Sequence, residues 1–212
     1  MKFDIVVDKI VTGPFQENTF IVRIVQSNQT LIIDPGDDED TIIQFIRSKK
    51  LKPLAILNTH AHLDHIGAVS RLQESFNIPF FLHEEEKMVL DHYKESCEMF
   101  GLLPKQKPKV DKWLKNHKNL IFKDFKVNII NTPGHTPGGI CYEIDNHIFV
   151  GDTIFKGSVG RTDLPGGNWD NLKKSLFQLI DTVNHEKIVH PGHGDDTTLK
   201  HELVSNPFLT SA

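Results

Sequence analysis

The residues best suited to chemistry stand together at positions 60–65, where the chain reads His60-Ala61-His62-Leu63-Asp64-His65 directly behind an apolar run at 54–57. A loop leaving a strand can turn such side chains toward one point, and His60 and His62, two apart, share a face of extended chain. Asp64 and His65, at the start of a following helix, can aim at a neighbouring point. Imidazole and carboxylate are the donors that zinc, iron and manganese accept. Any one of these histidines is better read as a solvated surface residue. The cluster as a unit is better read as a metal-binding loop.

Three later segments repeat the pattern. Residues 127–130 run into Asn131-Thr132-Pro133-Gly134-His135, residues 147–150 into Gly151-Asp152, and residues 187–189 into His190-Pro191-Gly192-His193. In each, a short apolar stretch gives way to a glycine followed at once by a possible ligand, and glycine permits the torsions of a sharp exit. Ligands carried on the ends of four strands would converge along one edge. His60, His62, His135 and Asp152 could serve one ion. Asp64, His65 and His193 could serve a second, with Asp152 shared between ions about 3.5–4 Å apart. Seven donors exceed the needs of one ion, so a pair is the economical reading.

The elements that must position these residues follow from hydrophobic period. Strands are expected at 4–11, 18–25 and 30–33, the last closed by Asp34-Pro35-Gly36. Ile42, Phe45 and Ile46 mark a helix. A strand at 54–57 leads to a helix at 66–76, a strand at 79–82 and a helix at 84–100. After a loop carrying Pro104 and Pro108, strands return at 120–122, 127–130, 140–144 and 147–150. Leu172, Leu176, Leu179, Ile180 and Val183 define an amphipathic helix, followed by a strand at 187–189 and a helix at 198–204. The order suggests two similar lobes, each a sheet with outer helices, within one domain spanning 1–212.

Bulk properties exclude several classes. The 212 residues carry a formal charge of -4, which offers no basic footprint for nucleic acid. No stretch has the length of a membrane span, and the N-terminus lacks the basic and apolar regions of a signal peptide. Cys97 and Cys141 have no paired spacing, so a cytoplasmic, reducing setting is expected. The oligomeric state stays open.

The ordered set Asp34-Pro35-Gly36, Thr59-His60-Ala61-His62-Leu63-Asp64-His65, Pro133-Gly134-His135-Thr136, Gly151-Asp152 and Pro191-Gly192-His193-Gly194 resembles the metallo-β-lactamase superfamily, and within it the short glyoxalase II-like hydrolases. The resemblance spans nearly the whole chain. It implies a four-layer αβ/βα sandwich with metals at one edge, two divalent ions (zinc first, iron or manganese otherwise), and hydrolysis of a small hydroxyacyl-thiol such as S-lactoylglutathione. Asp64 would orient the attacking water or carry its proton. Asp34, Thr59 and Thr136 would support the ligands rather than bind metal. Asp152 stands where the family's β-lactamases typically carry cysteine or serine, which ranks lactam hydrolysis low.

Arg161 lies near the position of a lysine that helps hold the glutathione carboxylate in glyoxalase II. A guanidinium could clamp a carboxylate there, or pair with Asp163 instead. The string Gly160-Arg161-Thr162-Asp163 also resembles the persulfide dioxygenases of the superfamily. About a score of residues follow His193, too few for the helical C-terminal domain of full-length glyoxalase II. Two other functions fit the same ligands: a mononuclear iron persulfide dioxygenase using His60, His135 and Asp152, and a noncatalytic metal-binding module. His147 and His190, like the remaining histidines, read as surface or core residues.

Overall fold

A computed structural model describes residues 3–210, which divide into two compact units. The first extends to Leu82 and resumes over Lys87–Leu114. The second takes His83–Glu86 and continues from Lys115 onward.

The first unit is built on one six-stranded sheet in sequence order: β1 (Ile5–Thr12), β2 (Glu17–Ile24), β3 (Gln29–Ile33), β4 (Lys52–Leu57), β5 (Phe80–His83) and β6 (Lys112–Leu114). β1, β2 and β3 form an antiparallel meander, whereas β4 runs parallel to β3, and β5 parallel to β4. Parallel neighbours need crossovers. α1 (Glu39–Ser48) supplies the first, and α2 (Leu63–Ile66) with α3 (Val69–Phe76) the second. Ile21, Ile32, Ile42, Ile46, Ile56 and Leu72 are fully buried in the core of this unit. Burial of each such side chain is worth about 1.5–3 kcal/mol.

Two helices expected as continuous are broken. The stretch at 66–76 begins three residues earlier and is interrupted at Gly67-Ala68, so Asp64 and His65 sit on a short helix of their own. The stretch at 84–100 resolves into a 3-10 turn at Glu84–Glu86, α4 (Lys87–Asp91) and α5 (Tyr93–Met99), separated at His92. β6 escapes the period argument because it is three residues long with only Leu114 buried.

The second unit holds a sheet in the order β14-β13-β10-β9-β8-β7. β7 (Asn119–Phe122), β8 (Phe125–Asn131), β9 (Ile140–Ile144) and β10 (His147–Gly151) form an antiparallel meander. A small hairpin follows, β11 (Ile154–Phe155) with β12 (Ser158–Val159). α6 (Trp169–Thr182) then leads to β13 (Ile188–Pro191), which joins β10 in parallel and pairs antiparallel with β14 (Thr197–Thr198). α7 (Leu199–Ser205) and α8 (Pro207–Thr210) complete the chain. α6 starts where the Asn168 side chain accepts the Asn171 N–H at 2.9 Å, a helix cap. Its buried face of Leu172, Leu176 and Leu179 packs with Ile148, Val150 and Val189.

This connectivity places the candidate ligands. β8 and β10 are both antiparallel to β9, so they share a direction, and β13 runs parallel to β10. His135, Asp152 and His193 therefore all leave the same end of one sheet. Among the described residues no helix is long and apolar enough to cross a membrane.

Candidate metal centre

In the second unit the three expected ligands meet. His135 Nε2 lies 3.5 Å and His193 Nε2 3.7 Å from the same oxygen, Oδ2 of Asp152. Donors of a tetrahedral ion with bonds of about 2.1 Å stand about 3.4 Å apart, so the spacing suits a shared cation. The orientation of His135 is fixed from behind. Its Nδ1 is 2.7 Å from the main-chain carbonyl of Arg161, which places the proton on Nδ1 and leaves Nε2 as the donor atom.

The turn around His135 is tightly specified. Gly134 has φ of 142°, and a Cβ there would lie 2.2 Å from the backbone nitrogen of Leu172. The Gly134 N–H donates to the buried Thr136 carbonyl at 2.9 Å, the Gly134 carbonyl accepts from Asn168, and Ser175 Oγ donates to the Pro133 carbonyl. Helix α6 thus braces the loop from one side. Glu86, fully buried, braces it from the other by accepting the Gly138 N–H at 2.7 Å. At the third segment the positive φ falls on Gly194, after His193.

In the first unit the cluster at 60–65 folds as expected around the end of β4. The rings of His60 and His62 stand 4.8 Å apart and those of His60 and His65 4.0 Å apart. Donor atoms of Asp34, His60 and His65 all lie within 4.8 Å of one another. Asp34 accepts the Thr59 N–H at 2.7 Å on Oδ1 and the Thr59 hydroxyl at 2.6 Å on Oδ2. With its one proton spent there, Thr59 Oγ1 meets His60 Nδ1 at 3.0 Å as an acceptor. That sets the proton on Nδ1 and leaves His60 Nε2 as the ligand atom. His65 Nδ1 stands 3.2 Å from Asp34 Oδ2. Asp64 lies beside them on α2, half-buried. Each unit's donor set thus suits a divalent ion: imidazole nitrogens and carboxylate oxygens, with His60 in the first and His135 in the second held in the tautomer that coordinates through Nε2.

Two groups were missed by sequence reasoning. Glu17 is fully buried at the start of β2, 3.9 Å from His65 Nδ1, and accepts hydroxyl hydrogens from Thr12 and Thr19. Burial pushes its carboxyl well above the ordinary value of 4.5, against the pull of His65. The available signal was a glutamate opening a strand otherwise apolar enough to be buried on both faces. The second is a chain of three side chains beside His193. His147 Nδ1 lies 2.9 Å from His190 Nε2, and His190 Nδ1 lies 3.1 Å from Asp196 Oδ2. His190 is buried and stacked on Phe149. Asp196 returns to His190 from the far side of the turn, so the turn that carries His193 is closed on itself. Arg161 is exposed and engaged with Asp163.

A family model described as the metallo-beta-lactamase superfamily matches residues 12–193. The chain belongs to that superfamily. It is a metal-dependent hydrolase of the metallo-β-lactamase type, and its fold is the α/β sandwich of that family, mixed sheets flanked by helices. Hydroxyacylglutathione hydrolase GloC of Haemophilus influenzae is 35% identical over 201 residues, 93% of this chain and 94% of the relative. Among solved structures, BLEG-1, a B3 metallo-beta-lactamase, is 37% identical with a TM-score of 0.91, covering 97% of this chain and 100% of the other. TTHA1623 in a di-iron-bound form is 36% identical with a TM-score of 0.88, covering 95% and 100%.

Proposed function

We propose that this metallo-hydrolase is a thioesterase of the glyoxalase II type, acting on a small hydroxyacyl-thiol. In this reading two divalent ions are held by His60, His62, Asp64, His65, His135, Asp152 and His193. The observation that carries it is the convergence of His135 and His193 on one oxygen of Asp152. A carboxylate placed between two imidazoles could serve two cations at once. The likeness to GloC supports the substrate class.

When bound, the ions supply a lowered pKa for water and Lewis acidity toward the substrate carbonyl. The chain's own groups do the rest. Asp64, half-buried at the start of a helix, orients the attacking water and takes up its proton. Asp34 and Thr59 hold the His60 ring, and the Arg161 carbonyl holds His135. A thiolate leaving group needs little help from a general acid, which suits a thioester. Zinc and iron both suit these donors, and the di-iron form of TTHA1623 makes iron a serious candidate. A cytoplasmic setting fits the two cysteines, both buried and not joined in a disulfide.

The likeness to BLEG-1 makes lactams the second substrate class. The deciding experiment is metal quantification of the purified protein together with turnover of glutathione thioesters, other thioesters, lactams and persulfides. Two ions per chain with thioester turnover is expected. One iron per chain with oxygen uptake on a persulfide, or turnover of lactams alone, would overturn the assignment.

A further inference from the structure

The first unit contains a cleft of about 90 Å³ beside the metal-binding loop. Leu63, Asp64 and Gly67 line it from that loop, Pro14 and Phe15 from the turn between β1 and β2. Tyr93 and Cys97 of α5 contribute, with Leu102, Leu103 and Lys105 from the segment that follows. The space is small, which suits a fragment of a few carbon atoms rather than a long chain.

The polar groups in its walls are already engaged with one another. Thr12 donates its hydroxyl to Glu17 at 3.0 Å. Tyr93, whose hydroxyl is held protonated by burial, bonds to Cys97 and to the backbone of Lys105. Lys105 pairs with both Asp37 and Glu39, so one positive charge is met by two negative ones. A ligand carboxylate entering here would meet a net negative wall. What remains to contact a ligand is the apolar surface of Phe15, Leu63, Leu102 and Leu103.

We propose that this cleft seats the acyl half of the substrate, and that it selects a short, uncharged chain of about three to four carbons. The proposal rests on the thioesterase reading and adds to it the side of the ester that is recognised. The two carboxylates of a thiol such as glutathione find no partner here. An acyl chain whose carbonyl lies at the Asp64 side finds an apolar seat of its own length.

The test uses the metal-loaded full chain and thioesters of one common thiol with acetyl, propanoyl, butanoyl, hexanoyl and octanoyl groups. kcat/KM should rise about four-fold per methylene up to butanoyl, then level or fall. Leu102→Trp should fill the cleft and bring the butanoyl-to-acetyl ratio near one. Leu103, 92% exposed, can be cut back without threat to the core, and Leu103→Ala should move the optimum to a longer chain. A flat profile, a profile that keeps rising through octanoyl, or a ratio unmoved in both variants would overturn the proposal. Should no thioester be hydrolysed, the thioesterase reading fails by itself, and calorimetry with the neutral probes acetamide and butanamide judges the cleft. Butanamide binding about ten-fold tighter than acetamide, with the gain lost in Leu102→Trp, supports it. Equal binding refutes it.

Discussion

Arg161 grips Asp163 through two parallel hydrogen bonds, Nε to Oδ1 and Nη2 to Oδ2, each 2.7 Å. The guanidinium edge that a substrate carboxylate would need is therefore occupied. The pair holds the Asp163 carboxyl down at about 2, below its ordinary 3.8. A depressed acid favours the folded chain above pH 3.8, and that contribution disappears as pH falls through about 2. Both groups are exposed, so the effect on stability is small. Arg161→Ala should return the Asp163 carboxyl to the ordinary carboxylate range in an NMR titration. It should leave KM for carboxylate-bearing thioesters unchanged, since the Arg161 group that touches the site is its main-chain carbonyl, which alanine retains. A KM raised ten-fold or more would show that the side chain swings to the substrate.

Asp152 is the point on which two imidazoles converge, so its loss should disturb metal binding more than the loss of any single histidine. Asp152→Ala is expected to weaken metal binding by more than about 100-fold, beyond the range seen for supporting partners of metal ligands. Equilibrium dialysis with metal analysis reads the loss, and near-ultraviolet circular dichroism checks that the core persists. His62→Ala should likewise shed metal and activity while the core stays folded. Full activity in that variant would remove His62 from the site.

Gly134→Ala should be severe although it adds one methyl group. The new Cβ would meet the backbone of Leu172, not a side chain that could turn away, and φ at this position is one that residues with a Cβ rarely adopt. A loss of about 3 kcal/mol in urea denaturation is expected, at the upper end for overpacking. A variant as stable as the wild type would mean that α6 slides freely on the loop.

His147 should give the fold a pH dependence near neutrality. Burial lowers its pKa below 6.5, and the adjacent His190 lowers it further. A histidine kept neutral in the folded chain contributes fully above pH 6.5, and the contribution is lost as pH falls from 6.5 through the folded value. Wild-type stability should therefore decline from pH 7 toward pH 5 more steeply than that of His147→Asn. Parallel pH profiles, measured by thermal unfolding of the metal-free proteins, would remove His147 as the cause.

The parts of this molecule legible in its sequence are those with strong local signatures. Apolar runs ending in Gly134-His135, Gly151-Asp152 and Gly192-His193 marked strand ends, and the strands stand there within one or two residues. α6 declared itself through Leu172, Leu176 and Leu179. The illegible parts depend on contacts distant along the chain. Glu17 looks like an ordinary polar residue at a strand start until Thr12, Thr19 and His65 close around it. His190 gains its meaning only from His147 and Asp196, the first brought near by the parallel pairing of β10 with β13. The break at Gly67-Ala68 leaves no trace in the period of apolar residues, because both short helices bury the same kind of side chain.

The common direction of β8, β10 and β13 has a chemical consequence. Three donors are gathered by strand geometry, each carried just past the same end of one sheet. A chelator should strip such a nest and leave it standing, ready to be refilled. Affinity alone would favour the ions late in the first transition row, so donor type, geometry and metal supply must share in the choice. The same nest could therefore carry different ions in cells of different metal supply.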